Sequence, residues 1–242
     1  MKPIIPENTS ILFTTLVSWL LLWLGKGYRA ALKKSGLPDA ERKRKFRMSV
    51  IPVLFWLLFL AIISKMDFFH DWSAMPPRLA IAVLPPLIFA IALFRSKKIN
   101  PWLAQIRQQD IIFLQSFRIV MEFILWRLFV EKIIPVQMTF EGRNFDIIVG
   151  LSALIVGYLA SKKKLSNGFI IGWNIFGLIM LANIVVIAIL SAPLPFRQFM
   201  NEPANTVIAY SPFVLLPGFV VPVAYTLHLL SIKKCLAEKN NR

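Results

Sequence analysis

Gln115, Arg118 and Glu122 lie within eight residues of one another in an apolar run from Ile111 to Pro135. No other apolar run of the chain carries a charged residue in its interior. At 100° per residue, Gln108, Gln115 and Glu122 recur at seven-residue steps with Arg118 between the last two, so the four groups share one helical stripe. Arg127 and Glu131, four apart, fall on the opposite side and nearer one end. An ionisable group at bilayer depth costs ~2.5 kcal/mol or more unless it is paired or wetted, which marks intramembrane charges as candidates for function. The chemistry open to this set is narrow. A guanidinium holds an anionic group, a carboxylate acts as counter-charge or proton carrier, and an amide orients both. The same residues also suit interhelical glue, with an Arg118–Glu122 ion pair tying this helix to its neighbours.

More polar groups stand nearby in the chain. Glu141, Arg143, Asn144 and Asp146 surround Gly142 in a short hairpin, which is expected to cap the outer mouth by pairing with Glu131 or Lys132. Asn174 and Asn183 are nine residues apart and face opposite ways on another apolar run; each is expected to hydrogen-bond across helices, and either is a candidate to reach a cavity. Asp67, His70 and Asp71 bring three potential metal ligands to one loop, a grouping also common in solvated loops, and no metal site is assigned.

Other chemistries fail on inventory. No apolar run has an interior lysine for a Schiff base. The two histidines, His70 and His228, and the single cysteine, Cys235, form neither a metal set nor an internal disulfide. There is no phosphate-binding glycine loop and no serine elbow. No catalytic residue and no cofactor are expected.

The elements that must position the stripe follow from hydropathy. Hydrophobic residues make up 57% of the 242, the mean hydropathy is +0.65, and apolar runs long enough to cross ~30 Å of hydrocarbon recur along the chain. Barrel-type alternation is absent, which leaves helices as the way to satisfy the backbone in lipid. The expected fold is all-α: one integral membrane domain over residues 1–242, a polytopic bundle of seven transmembrane helices. Their spans are residues 9–25, 48–64, 79–94, 111–135, 145–160, 168–192 and 211–232. Pro38 is expected to open a second short helix before the second span. Pro85–Pro86 in the third span and Pro217, Gly218 and Pro222 in the seventh predict bent or broken helices.

A net charge of +16 raises the question of nucleic acid, and its distribution answers it. With these spans, 20 of the 28 Lys and Arg lie on loops of one side and six on the other side, counting Lys132 at the outer end of the fourth span, while two, Arg118 and Arg127, lie deeper within that span. That bias marks the cytoplasmic side, placing the N-terminus outside and the C-terminus in the cytoplasm. The lipid bilayer is the expected partner and nucleic acid is not; the predicted home is a bacterial cytoplasmic membrane. The loop at 193–210 is a candidate lid. The leading functional reading is binding or translocation of a small polar or anionic solute or ion through Gln115, Arg118 and Glu122, with Asn174, Asn183 and the hairpin contributing. The alternatives are a membrane sensor or accessory subunit, alone or as a homo-oligomer, in which the stripe is glue, and a membrane-embedded enzyme acting on lipid.

Overall fold

An apolar run away from water must satisfy its backbone hydrogen bonds, and a helix does this within itself; the apolar runs among the described residues are mainly helical. The computed structural model describes residues 3–240, with no strand among them; Lys2 and Arg242, counted in the charge bias, lie outside the described residues. The helices are α1 (Glu7–Lys33), α2 (Asp39–Lys65), α3 (Ala80–Arg95), α4 (Asn100–Gln105), α5 (Gln108–Leu114), α6 (Phe117–Val130), α7 (Asp146–Ser161), α8 (Asn167–Ser191) and α9 (Val221–Asn240). Four are long and apolar enough to cross a bilayer: α1, α2, α8, and α9 with the π-helical turn Leu216–Val220 that precedes it. A fifth arises if α3 is joined through a 74° bend to the short helix after it. The remaining two expected spans differ from these. The fourth is divided into α5 and α6, and the fifth, α7, has only 16 residues.

Large apolar side chains face outward along α2 (Ile51, Leu54, Phe55, Leu58, Ile62) and α3 (Ile81, Leu84, Ile88, Phe89, Ile91). So long an apolar exterior belongs to a protein embedded in a membrane. Inside, α9 packs against α3, α5 and α8, while α6 leans toward α1 and α7. The core cluster accordingly joins Phe13 and Leu20 of α1 to Ile124 and Leu128 of α6.

Several local expectations are corrected. Pro38 caps α2, which runs unbroken from Asp39, so no separate short helix forms. Pro85 and Pro86 both lie inside α3 without breaking it, so of a bend or a break only the break is ruled out. The fourth span does not run on to residue 135: α6 ends at Val130, Lys132 turns the chain at φ 56°, and Ile133, Ile134, Met138, Thr139 and Asn144 are buried. The connection expected at the surface therefore folds back into the bundle. Its ties also differ. Glu131 accepts from the Thr9 hydroxyl at 2.9 Å and pairs with Arg127 at 3.2 Å, joining α6 to the start of α1 rather than to the hairpin.

At the end of the chain, two lysines meet open helix termini. Lys233 donates to the Phe94 carbonyl at 2.6 Å, and Lys234 points at the Leu103 carbonyl at 3.4 Å, where cations suit the C-terminal dipoles of α3 and α4. The 193–210 loop is braced by Arg197, which donates to the Phe199 and Asn201 carbonyls and pairs with Glu202 at 3.0 Å. The Ala204 N–H, with help from Arg197, holds the Glu202 carboxyl below its usual range. Asp67 and Asp71 turn to different partners, His70 and Arg78, and among the described residues no group of three side chains suits a metal ion.

Candidate functional site

The stripe read at 100° per residue does not survive intact, because the helix breaks within it. Between α5 and α6 the amides of Gln115, Ser116, Arg118 and Ile119 all bond to carbonyls three residues back, a tightened turn of the 3-10 kind. This turn lets α5 stay on α9 while α6 departs toward α1. Gln115 and Arg118 are parted as a result. Gln115 is buried and donates to the Ala224 carbonyl of α9 at 3.2 Å, whereas Arg118 turns to α7 and to a lower turn of α9.

Arg118 pairs with Asp146 and not with Glu122. Its Nε lies 2.9 Å from Asp146 Oδ2 and its Nη1 lies 3.0 Å from His228 Nε2. A guanidinium only donates, so Nε2 of His228 is the accepting nitrogen and Nδ1 carries the proton. That Nδ1 donates to Asn174 Oδ1 at 2.8 Å. Asn174 Nδ2 in turn donates to the Ser231 hydroxyl and the Ile170 carbonyl, each at 2.7 Å, and the Gln108 amide reaches the same hydroxyl. One chain of contacts thus runs from Arg118 on α6 through α9 and α8 to the start of α5.

The returning hairpin supplies the other half. Asn144, fully buried, directs its amide at both oxygens of Glu122 at 2.7 Å. Its own oxygen accepts from the Asp146 N–H at 3.1 Å and so shapes the first turn of α7. Asn144 therefore lies beside Glu122 and Asp146 beside Arg118, at positions about 12 and 18 Å before the C-terminal end of α6 at 1.5 Å of rise per residue. Glu141 and Arg143 stay on the outside, against Trp126 and over the Phe199 ring. Asn183 is also apart, half-buried and donating to the Arg143 carbonyl.

Arg118, Glu122 and Asp146 line a cavity of about 320 Å³ whose other walls are apolar, drawn from α3, α6, α8, the π-helical turn and α9. Three of their atoms remain without a hydrogen-bond partner among the described residues: Arg118 Nη2, Asp146 Oδ1, and Arg118 Nε, whose N–H is not aimed at the oxygen beside it. The Nε···Oδ2 contact is an ion pair by distance alone. Glu122 has no cation within ion-pairing distance among the described residues. Leu216, Pro217 and Val220 of the π-helical turn form part of the wall, in keeping with the frequent placement of such turns at functional sites.

His228 and Ser231 complete the network and were not among the candidates; Gln108, placed on the stripe without a role of its own, joins them. The available signal was the three-residue spacing of His228 and Ser231 on one face of the last helix. Gly177 shows how closely that face is packed, since a Cβ there would overlap the His228 ring. Gly177→Ala is expected to destabilise by about 1–2 kcal/mol through displacement of the ring, read as a shifted midpoint in reversible detergent unfolding. Gly172→Ala, where a Cβ meets open space, is the control and should leave the midpoint in place.

Residues 76–236 match the family model described as Domain of unknown function (DUF8737). The matched stretch contains every residue of the network, while α1 and α2 precede it. No curated protein and no solved structure matches the chain.

Proposed function

We propose a function from the site itself, because the chain belongs to the DUF8737 family, described as a domain of unknown function. The protein binds, or carries across the membrane, a small solute with a polar or acidic group, held at Arg118, Glu122 and Asp146. The observation behind this reading is a buried charged cluster with unpartnered atoms, whose residues border a cavity. A set built only to join helices would use those atoms on its neighbours. Arg118 supplies donors to an acceptor group of the solute, Glu122 is the counter-charge or proton carrier, and Asn144 and Asp146 fix their positions. Seven membrane crossings, an outside N-terminus, a cytoplasmic C-terminus and residence in a bacterial cytoplasmic membrane complete the proposal; the Lys and Arg bias of the loops supports them.

The test is the melting of the purified chain in nanodiscs with acetate, phosphate, bicarbonate, amino acids and carboxylates of increasing length. A ligand at a hundred times its Kd raises stability by ~2.7 kcal/mol. Stabilisation by one class in the parent, lost in Glu122→Gln, supports the reading, and a flat response across the panel removes it. The second reading, a sensor or accessory subunit, rests on the chain from Arg118 through His228 to Asn174, which joins three helices. It predicts the flat response.

A further inference from the structure

The shape of the cavity narrows the class of solute. Only three charged residues, Arg118, Glu122 and Asp146, are among its lining, and the remaining lining is hydrocarbon. Three large apolar lining residues also face outward, Leu84 of α3 at 50% exposure, Ile189 of α8 at 41% and Phe196, just after α8, at 39%. The cavity therefore opens sideways, between α3 and α8, onto the apolar exterior. On the proposed topology this mouth lies in the outer half of the bilayer, since Leu84 is near the start of α3 and Ile189 near the end of α8. A small hydrophilic ion gains nothing from such walls, whereas a hydrocarbon tail does. At about 320 Å³ the cavity is at the lower end of small-molecule sites, room for one chain and not for a two-tailed lipid.

The head group follows from the atoms left over. The Nε and Nη2 atoms of Arg118 form the edge by which a guanidinium grips two oxygens, and Asp146 uses only one of the two, off line. Asp146 Oδ1 and the Glu122 oxygens accept. A fixed cation would satisfy the carboxylates and leave the guanidinium edge bare. A bare anion would add negative charge beside two acids. A carboxylic acid that keeps or shares its proton offers a carbonyl oxygen to Arg118 and a hydroxyl to an acid, so both sets are met without a change in charge.

We infer that the cavity binds a single-chain lipid acid, which enters between α3 and α8 with its tail along the apolar walls and its carboxyl group at Arg118, Glu122 and Asp146. This rests on the solute-binding reading above and adds its substrate class.

The experiment is electron spin resonance of the full chain in phosphatidylcholine nanodiscs, with stearic acid labelled near its tail end. An immobilised signal is expected, displaced by palmitate at concentrations at least about tenfold lower than by hexadecanol or hexadecyltrimethylammonium, and unmoved by acetate. Ala188→Phe and Val83→Phe, which fill the walls from opposite sides without touching a charged group, are expected to remove the signal; either variant serves if the other does not fold. Displacement by acetate as readily as by palmitate overturns the tail while leaving a site for polar solutes. Displacement by the quaternary amine or the alcohol in preference to palmitate overturns the acid head. An unchanged signal in a folded wall variant places the label elsewhere and overturns the inference. Absence of an immobilised signal, together with a flat melting panel, removes both readings.

Discussion

Arg118→Met and Asp146→Leu are each expected to destabilise the protein by about 3–5 kcal/mol, and the double substitution to recover most of that loss. The two groups are 2% and 7% exposed and 2.9 Å apart, so removing either leaves the other as an uncompensated buried charge. An apolar pair of similar volume leaves no charge behind. Arg118→Met also deprives His228 Nε2 of its donor, which is why recovery should fall short of complete. Glu122 should behave differently. It has no cation to lose, and Glu122→Gln keeps an oxygen that accepts from Asn144 while removing a buried charge. That variant is expected to be neutral or stabilising, and a residue retained against stability is one retained for something else. Reversible unfolding in mixed detergent micelles measures these four variants and the Arg118→Met/Glu122→Gln double. A large Arg118–Glu122 coupling with little between Arg118 and Asp146 would sink the assignment.

That contrast also shows where a reading of the sequence runs out. Hydropathy was enough to locate the long apolar helices α1, α2, α8 and α9, because an apolar run in lipid has few other ways to satisfy its backbone. The opposite facing of Asn174 and Asn183 followed from periodicity alone, since α8 is one unbroken helix. The Arg118 partnership was not legible. Spacing of four residues favoured Glu122, but the tightened turn at Gln115–Ser116 swings the guanidinium out of that register. Its actual partner is 28 residues later, in a segment whose charges read as surface. Glu141, Arg143, Asn144 and Asp146 look alike in composition, and only the fold separates the two that stay outside from the two that go in. His228 escaped notice because it was weighed as a metal ligand and not as an acceptor for a buried arginine.

Gly142→Ala is expected to cost about 3 kcal/mol or more and to dismantle the site without altering any group in it. A Cβ at this position would press on the Val136 carbonyl oxygen and carbon and on Gln137 Cα. All three are backbone, so no side chain can swing aside to make room. The bonds that close the hairpin converge on the same few residues: the Gly142 and Asn144 amides both donate to the Thr139 carbonyl, and the Arg143 amide donates to the Gln137 carbonyl. Pushing residue 142 away from residue 136 therefore withdraws Asn144 from Glu122 and carries Asp146 from Arg118. Gln137 would also shift, loosening its donation to Ser191 and its acceptance from Asn201 in the 193–210 loop. Loss of ligand-dependent stabilisation should accompany the lower melting point in Gly142→Ala, whereas Gly27→Ala, with nothing near its added methyl, should retain both. If Gly142→Ala melts with the parent, the hairpin is not seated against its own backbone, and the depth assigned to Asn144 and Asp146 has to be given up.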